Sequence, residues 1–336
     1  MPRSLILTLL LPTLALAADK PVKVFILTGQ SNMEGKAKVS LFDTQAAMAD
    51  KKELFAPYRK GDKWAEREDV FVKFLDRKGK LTVGFGSPKC VGPELGFGWA
   101  VGDKYEEPVL LIKTAWGGRS LWRDFRSPSA GFPPEAKLSK LLADMQKKTP
   151  TATMDDVKKP FGAAYRDTLK EVETVLADVG AVFPELKGHK PELAGLVWFQ
   201  GWNDLIDADA TAEYASNLKH FINDVRKDLK APQLPIVIGQ EGVDGEKAAD
   251  NMKKFKAAQA EGASDPAFKG NVALVKTDVL WDTEAEAVFK KGWRENLDEW
   301  NKVGSDYPYH YLGSAKNMLA MGRAFGEAML ELKGKD

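Results

Sequence analysis

Ser31 stands two residues after a glycine that ends an apolar, β-branched run: residues 24–35 read Val-Phe-Ile-Leu-Thr-Gly-Gln-Ser-Asn-Met-Glu-Gly. A strand that stops at such a turn sets the serine hydroxyl at the carboxyl edge of a sheet, where open α/β folds build their sites. A hydroxyl alone is a weak nucleophile, so its chemistry depends on a nearby base and on donors for a developing oxyanion. The chain holds three histidines. His189 lies in the turn-like run Lys187-Gly188-His189-Lys190-Pro191, and His220 lies beside the apolar stripe of an amphipathic helix. His310 is different. It lies in Gly304-Ser305-Asp306-Tyr307-Pro308-Tyr309-His310-Tyr311, a loop rich in turn formers, with a carboxylate close by. It is the candidate base. Three histidines scattered in this way also argue against a zinc site, which needs several ligands at defined spacing.

Two further runs supply candidate oxyanion donors. In Val197-Trp198-Phe199-Gln200-Gly201-Trp202-Asn203-Asp204 a strand again ends at a glycine, and Gln200 and Asn203 can each aim an amide N–H at an oxyanion. In Lys113-Thr114-Ala115-Trp116-Gly117-Gly118-Arg119-Ser120 the paired glycines can present a backbone N–H with no side chain in the way. The tryptophans near these runs, Trp116 and Trp202 among them, offer faces to a sugar ring, and Arg119 offers a partner to a carboxylate.

The elements that must position these groups are legible as alternation. Short buried-strand runs at Val22–Leu27, Val109–Lys113, Leu196–Phe199, Leu234–Gly239 and Asn271–Lys276 are separated by helical stretches at Tyr165–Val179, Thr211–Lys230 and Gly313–Leu332. Continuous apolar strands alternating with helices predict a parallel sheet covered on both faces. The run Val70–Leu75 is either an extra strand or part of an insertion. Segments 36–105, 117–160 and 281–305 are irregular and read as insertions decorating one domain that spans 18–336.

The chain has 336 residues, 44% of them apolar and 29% charged, with a net charge of +1. That balance gives no reason to expect nucleic acid or an anionic membrane as partner. Arg3, the apolar run Leu5–Leu16 and the small-residue site Ala15-Leu16-Ala17 predict a signal peptide over 1–17 and a secreted or periplasmic mature chain. The single cysteine, Cys90, has no partner for an intramolecular disulfide.

Taken together, these motifs resemble the SGNH (GDSL-like) hydrolases, and within them the sialate O-acetylesterase and acetylxylan-esterase-like group. Gly29-Gln30-Ser31-Asn32-Met33 matches the first block, Gly117-Gly118 the second, Gly201-Trp202-Asn203-Asp204 the third, and Asp306 with His310 the fifth. The resemblance implies a three-layer flavodoxin-like sheet and hydrolysis of O-acetyl esters on carbohydrate through an acyl-enzyme, with no metal or organic cofactor. Carried over, Ser31 is the nucleophile, His310 the base and Asp306 its orienter. The oxyanion hole draws on the Ser31 amide, a Gly117 or Gly118 amide and the Asn203 side chain, with Gln200 as a rival or additional donor. Gln30, Trp116, Arg119 and Trp202 are candidate substrate contacts. Two departures stand out. The group's Gln-Gly-Glu third block reads Gln200-Gly201-Trp202 here, and the acid lies four residues before the histidine rather than three. Four extended residues span roughly 13 Å, so the chain must turn for Asp306 to meet His310; Asp282 or a backbone carbonyl is the alternative partner. Two other expectations compete with a carbohydrate esterase: a lipid or aryl esterase of the same fold, and an inactive glycan-binding protein built on it.

Overall fold

The computed structural model describes residues 20–334, and the expected signal peptide lies outside them. Seven strands form one sheet: β1 (Val22–Gly29), β2 (Val70–Phe74), β3 (Arg77–Lys80), β4 (Val109–Ala115), β5 (Pro191–Phe199), β6 (Ile236–Gln240) and β7 (Val272–Lys276). Their spatial order is β7-β6-β5-β1-β4-β2-β3. All neighbours pair in parallel except β2 with β3, which form an antiparallel hairpin. Without that hairpin the order is β4-β1-β5-β6-β7, the flavodoxin-like arrangement, with the switch of direction at β1. The run at 70–75 is therefore a strand within an insertion, added at the sheet edge.

Helices cover both faces. Trp198 and Phe199 are successive residues of β5 and point to opposite sides, as the pleat requires. Trp198 meets Phe221 of one helix at 4.3 Å between ring centres, and Phe199 meets Phe325 of another at 5.3 Å. The five principal helices are α1 (Glu94–Gly102), α2 (Ala163–Ala177), α3 (Ala208–Asp228), α4 (Asp250–Ala263) and α5 (Ala315–Lys333). On the α5 side, α1 packs close to α5 because both carry glycine at the crossing. A Cβ on Gly96 would stand 2.3 Å from the Leu319 carbonyl oxygen, and one on Gly322 would stand 2.1 Å from that of Pro93. Segment 36–105 thus holds a core helix as well as decoration. Trp122, Leu138 and Val157 of segment 117–160 build a smaller apolar cluster with Phe161 and with Ala210 of α3. Among the described residues, no helix is long and apolar enough to cross a membrane.

Two buried ionisable groups govern how this frame responds to change. Lys113 of β4 and Glu94 at the start of α1 are both fully buried, and their charged atoms lie 2.6 Å apart. Burial pushes the Lys113 ammonium down, and the neighbouring Glu94 carboxylate opposes that shift. Removing one partner of a buried pair leaves an uncompensated charge, which costs about 3–5 kcal/mol. Lys113→Ala is expected to lose that much stability in urea denaturation. The double variant Lys113→Met/Glu94→Leu should recover more than half of it. A double variant as unstable as the sum of the two single ones would show no coupling between the charges and overturn this account.

Glu241, one residue beyond β6, is fully buried, and neither carboxylate oxygen has a hydrogen-bond partner. Burial pushes its carboxyl up to about 8 from 4.5, against a small opposing effect of the Trp202 amide. In that interval the folded chain holds a proton that the unfolded chain has released. Stability therefore falls as pH rises from about 4.5 to about 8. Thermal melts of wild type should show this fall, and Glu241→Gln, a neutral side chain of the same shape, should make it shallower. An equally steep fall in the variant would remove Glu241 as its source.

Candidate active site

The sheet's carboxyl edge collects the sequence motifs. Gly29 closes β1 at φ +152°, and a Cβ there would stand 2.0 Å from the Phe199 carbonyl oxygen on β5. Only glycine lets β1 and β5 stay this close while the chain turns into the short helix Ser31–Glu34. Ser31 opens that helix and is nearly buried. Gly117, at the end of β4, lies beside it: a Cβ built on Gly117 would stand 3.9 Å from the Ser31 Cβ. Gly118 takes φ +70° and lends its carbonyl oxygen to the Asn203 side chain, whose Nδ2 donates to it at 2.8 Å. One Asn203 N–H remains free of that bond.

The histidine arrives from the other side of the sheet. Asp306 and His310 do meet: Asp306 Oδ1 and His310 Nδ1 are 3.2 Å apart, although the angle falls short of an aligned hydrogen bond. Burial pushes the Asp306 carboxyl up. The His310 contact, the Tyr307 amide and the nearby Lys36 charge outweigh this and hold it below the ordinary carboxylate value. The residue after Ser31 and the residue before His310 are joined, because Asn32 Nδ2 donates to the Tyr309 carbonyl oxygen at 3.2 Å. Among the described residues this contact links the two loops, and no hydrogen bond runs from the Ser31 hydroxyl to the imidazole. Asp282, the alternative partner, is occupied elsewhere. Its Oδ1 accepts from the Glu284 and Ala285 amides, and its Oδ2 accepts from Ser314 Oγ at 2.5 Å.

The turn that brings Asp306 to His310 is unusual backbone. Tyr311, Leu312 and Gly313 all have positive φ, at +52°, +60° and +54°. Two non-glycine residues in succession there carry strain that surrounding contacts must offset. Tyr311 supplies them. It is fully buried, its hydroxyl accepts from the Gly242 amide at 2.8 Å, and it bonds Thr277 Oγ1 at 2.6 Å. Thr277 Oγ1 donates to the Gln240 carbonyl oxygen at 2.7 Å, so the proton between the two hydroxyls comes from Tyr311. This chain of bonds ties the histidine loop to the ends of β6 and β7.

Two expected roles need correction. Gln200 cannot serve as an oxyanion donor. It is fully buried, and its Nε2 already lies within 3.0 Å of Gln30 Oε1 and of the Arg119 carbonyl oxygen and 2.6 Å from Asp204 Oδ2. Gln30 is not exposed to substrate either. Its Oε1 accepts from Gln200 Nε2 and the Gly201 and Asn203 amides, tying the serine turn to the third block. Asp204, pushed up to about 7 by burial against opposing hydrogen bonds, anchors the Leu121 and Trp122 amides at 2.8 Å. Trp116 and Trp202 are half-buried and Arg119 is exposed. Trp116 and Arg119 line a cleft of about 550 Å³ together with Glu34, Arg77, Ala115 and Gly117. The Glu34 carboxylate beside Gly117 is balanced by Lys36 Nζ at 3.1 Å and Ser87 Oγ at 2.5 Å.

Sequence reading passed over Tyr311, Lys113 and Glu241. The Tyr-x-Tyr-His-Tyr run was a signal for the first, and a lysine closing an apolar strand was a signal for the second. Glu241 lies directly against Gly201, with its Cγ 2.5 Å from where a Cβ would be. A carboxyl from the neighbouring strand thus stands beneath the third-block turn, where Trp202 has replaced the expected glutamate. Among the described residues, no group of three or more His, Cys, Asp or Glu side chains is placed to hold a metal ion.

Among curated protein sequences none matches this chain. Solved structures that share its fold include two of similar length. One is a protein from Arabidopsis thaliana, 18% identical with a TM-score of 0.52, covering 92% of this chain and 98% of that one. The other is NanS, 14% identical with a TM-score of 0.54, covering 94% of this chain and 99% of that one. Residues 21–290 match the family model described as carbohydrate esterase, sialic acid-specific acetylesterase. With most of its length matched and the serine turn, the paired glycines and the third block gathered on one sheet edge, the chain belongs to this carbohydrate esterase family.

Proposed function

We propose that the protein is an exported serine esterase that removes O-acetyl groups from carbohydrate, with Ser31 as nucleophile, His310 as base and Asp306 as its orienter. The observation that carries the assignment is the Asp306–His310 contact on a loop bonded directly to the residue after Ser31. Asp306 stays ionised because its carboxyl is held below the usual range, so it can fix the Nδ1 proton and leave Nε2 to act on the serine. Hydrogen bonds between such groups are often loose before substrate binds and tighten in the complex.

His310 takes the Ser31 proton as the hydroxyl oxygen attacks the acetyl carbon. The Ser31 and Gly117 amides and the free Asn203 N–H receive the oxyanion. As the tetrahedral intermediate collapses, the bond to the sugar oxygen breaks and His310 protonates that oxygen. Water then attacks the acyl-serine by the same route, releasing acetate and restoring the hydroxyl. Removing one oxyanion donor typically costs about 10²–10³ in kcat.

The test is acetate release from acetylated sugars by the full mature chain. Ser31→Ala should abolish it, and Asn203→Ala should lower kcat by about 10²–10³ with a smaller change in KM. Full activity in Ser31→Ala would overturn the assignment. No acetate release from any sugar ester, with release from nitrophenyl esters of long acyl chains, would favour a lipid or aryl esterase.

A further inference from the structure

A run of aromatic side chains leaves the active site along the histidine loop. Trp202, in the third-block turn beside Asn203, packs against Tyr309 at 5.7 Å between ring centres. Tyr309 lies 4.4 Å from the His310 ring and stacks on Tyr307 at 5.5 Å, with the two rings nearly parallel. Tyr307 meets Trp293 edge-on at 6.2 Å. There the run opens into a concave pocket of about 400 Å³, floored by Phe289, Trp293 and Trp300 and edged by Lys38, Asn301 and Ser305. Asp306 also lines this pocket, so it begins one side chain away from the imidazole.

The track is only partly covered: Tyr307 is 41% exposed, Trp202, Tyr309 and Trp293 are half-buried, and Trp300 is buried beneath them. A concave, mostly aromatic surface with a few polar groups at its edge is the usual form of a small-molecule site. Its position says which part of a substrate it meets. The histidine returns its proton to the departing alcohol. Whatever lies along the histidine loop therefore faces the alcohol portion of the ester, while the carbonyl oxygen faces Gly117 and Asn203. A pyranose ring has apolar C–H faces and a hydroxyl edge, which suit an aromatic floor with an amide, a hydroxyl and an ammonium at the rim. Three successive gaps of 5.5–6.2 Å exceed what one such ring covers.

We propose that Trp202, Tyr309, Tyr307 and Trp293, with the pocket beyond them, bind a chain of pyranose sugars continuing from the acetylated one, so that the substrate is an acetylated oligo- or polysaccharide rather than a free sugar. The proposal rests on the esterase reading above for its polarity.

The experiment measures kcat/KM on acetylated mono- to pentasaccharides of β-1,4-linked xylose, glucose and N-acetylglucosamine, with 4-nitrophenyl acetate as the short reference. In at least one series kcat/KM should rise about tenfold with length, the effect of one good aromatic contact. Trp293→Ala and Tyr307→Ala should each remove most of that rise, and Trp293→Phe should keep it. The readout is the ratio of long to short substrate, which loss of folded enzyme leaves unmoved. Acetate release independent of length in every series overturns the sugar track and leaves the esterase reading intact. An equal fall on 4-nitrophenyl acetate and pentasaccharide in Trp293→Ala also overturns it. If wild type releases no acetate from any sugar, the esterase reading fails. The track is then decided by calorimetry with the unacetylated pentasaccharides: binding that weakens in Trp293→Ala supports it, and no binding overturns it.

Discussion

The Lys113 ammonium is the constraint on which the serine turn depends. It has three N–H donors, and all three are used inside the protein: on Glu94 Oε2 at 2.6 Å and on the carbonyl oxygens of Glu34 and Phe85 at 2.8 Å each. The face of Phe74 lies 4.6 Å from the same nitrogen. One charge thus joins β4, the end of the short helix Ser31–Glu34, the loop that follows the inserted hairpin and the first turn of α1. Glu94 closes the arrangement by accepting from the Gly92 amide at 2.9 Å. A four-residue helix such as Ser31–Glu34 has no stability of its own. It holds its shape because its last carbonyl group is bonded to a buried cation that cannot move without exposing an unpaired carboxylate.

The histidine side is held by a different means. The left-handed run Tyr311–Gly313 turns the chain back on itself, so that the Ser305 and Asp306 amides both reach the Leu312 carbonyl oxygen. A side chain at Gly313 would collide with Ser305 Oγ at 2.4 Å. That closure converts a four-residue spacing into a contact between Asp306 and His310. Its strain is offset by the buried hydroxyl chain from Gly242 through Tyr311 and Thr277 to Gln240. Ser314, next in sequence, both caps α5 and donates to Asp282, so the loop is fixed at its far end as well.

Much of this was legible from residues, and the exceptions have physical causes. Four of the five parallel core strands declared themselves because strands buried on both faces must be continuously apolar; the fifth, β7, is apolar although it is a half-buried edge strand. Helix α1 did not, because Gly96, Gly98 and Gly102 lower its propensity; Gly96 is there for the close approach to α5, and Gly98 and Gly102 for the close approach of Leu81, Val70 and Arg67. Helix α4 buries Gln259 and Gly262 along with Met252 and Phe255, so its apolar stripe is broken. In the site, Ser31 was a candidate from its place after a strand end, His310 from scarcity and Asp306 from the resemblance; the structure adds that Asp306 lies against His310. Gln30 and Gln200 were misread because an amide beside a strand end looks the same whether it faces a substrate or a neighbouring loop. Only the burial of both, and their bond to each other, separates the cases. The family match ends at residue 290, before the histidine loop, so the Asp306–His310 pairing stands on geometry alone.

That internal use of Gln30 and Gln200 explains how two independently anchored loops come into register. Gln30 belongs to the serine turn and Gln200 to the third block, and each satisfies the other where no water reaches. Asp204 accepts from Gln200 and from the Leu121 and Trp122 amides, so the segment after the paired glycines joins the same network. A buried polar network costs heavily when any member is unpaired, and so it specifies one arrangement. Here the arrangement bonds the Asn203 amide to Gln30 Oε1 and the Asn203 side chain to the Gly118 carbonyl oxygen. The two glutamines that a sequence pattern would turn toward a substrate are thus bonded to a neighbouring loop inside the protein.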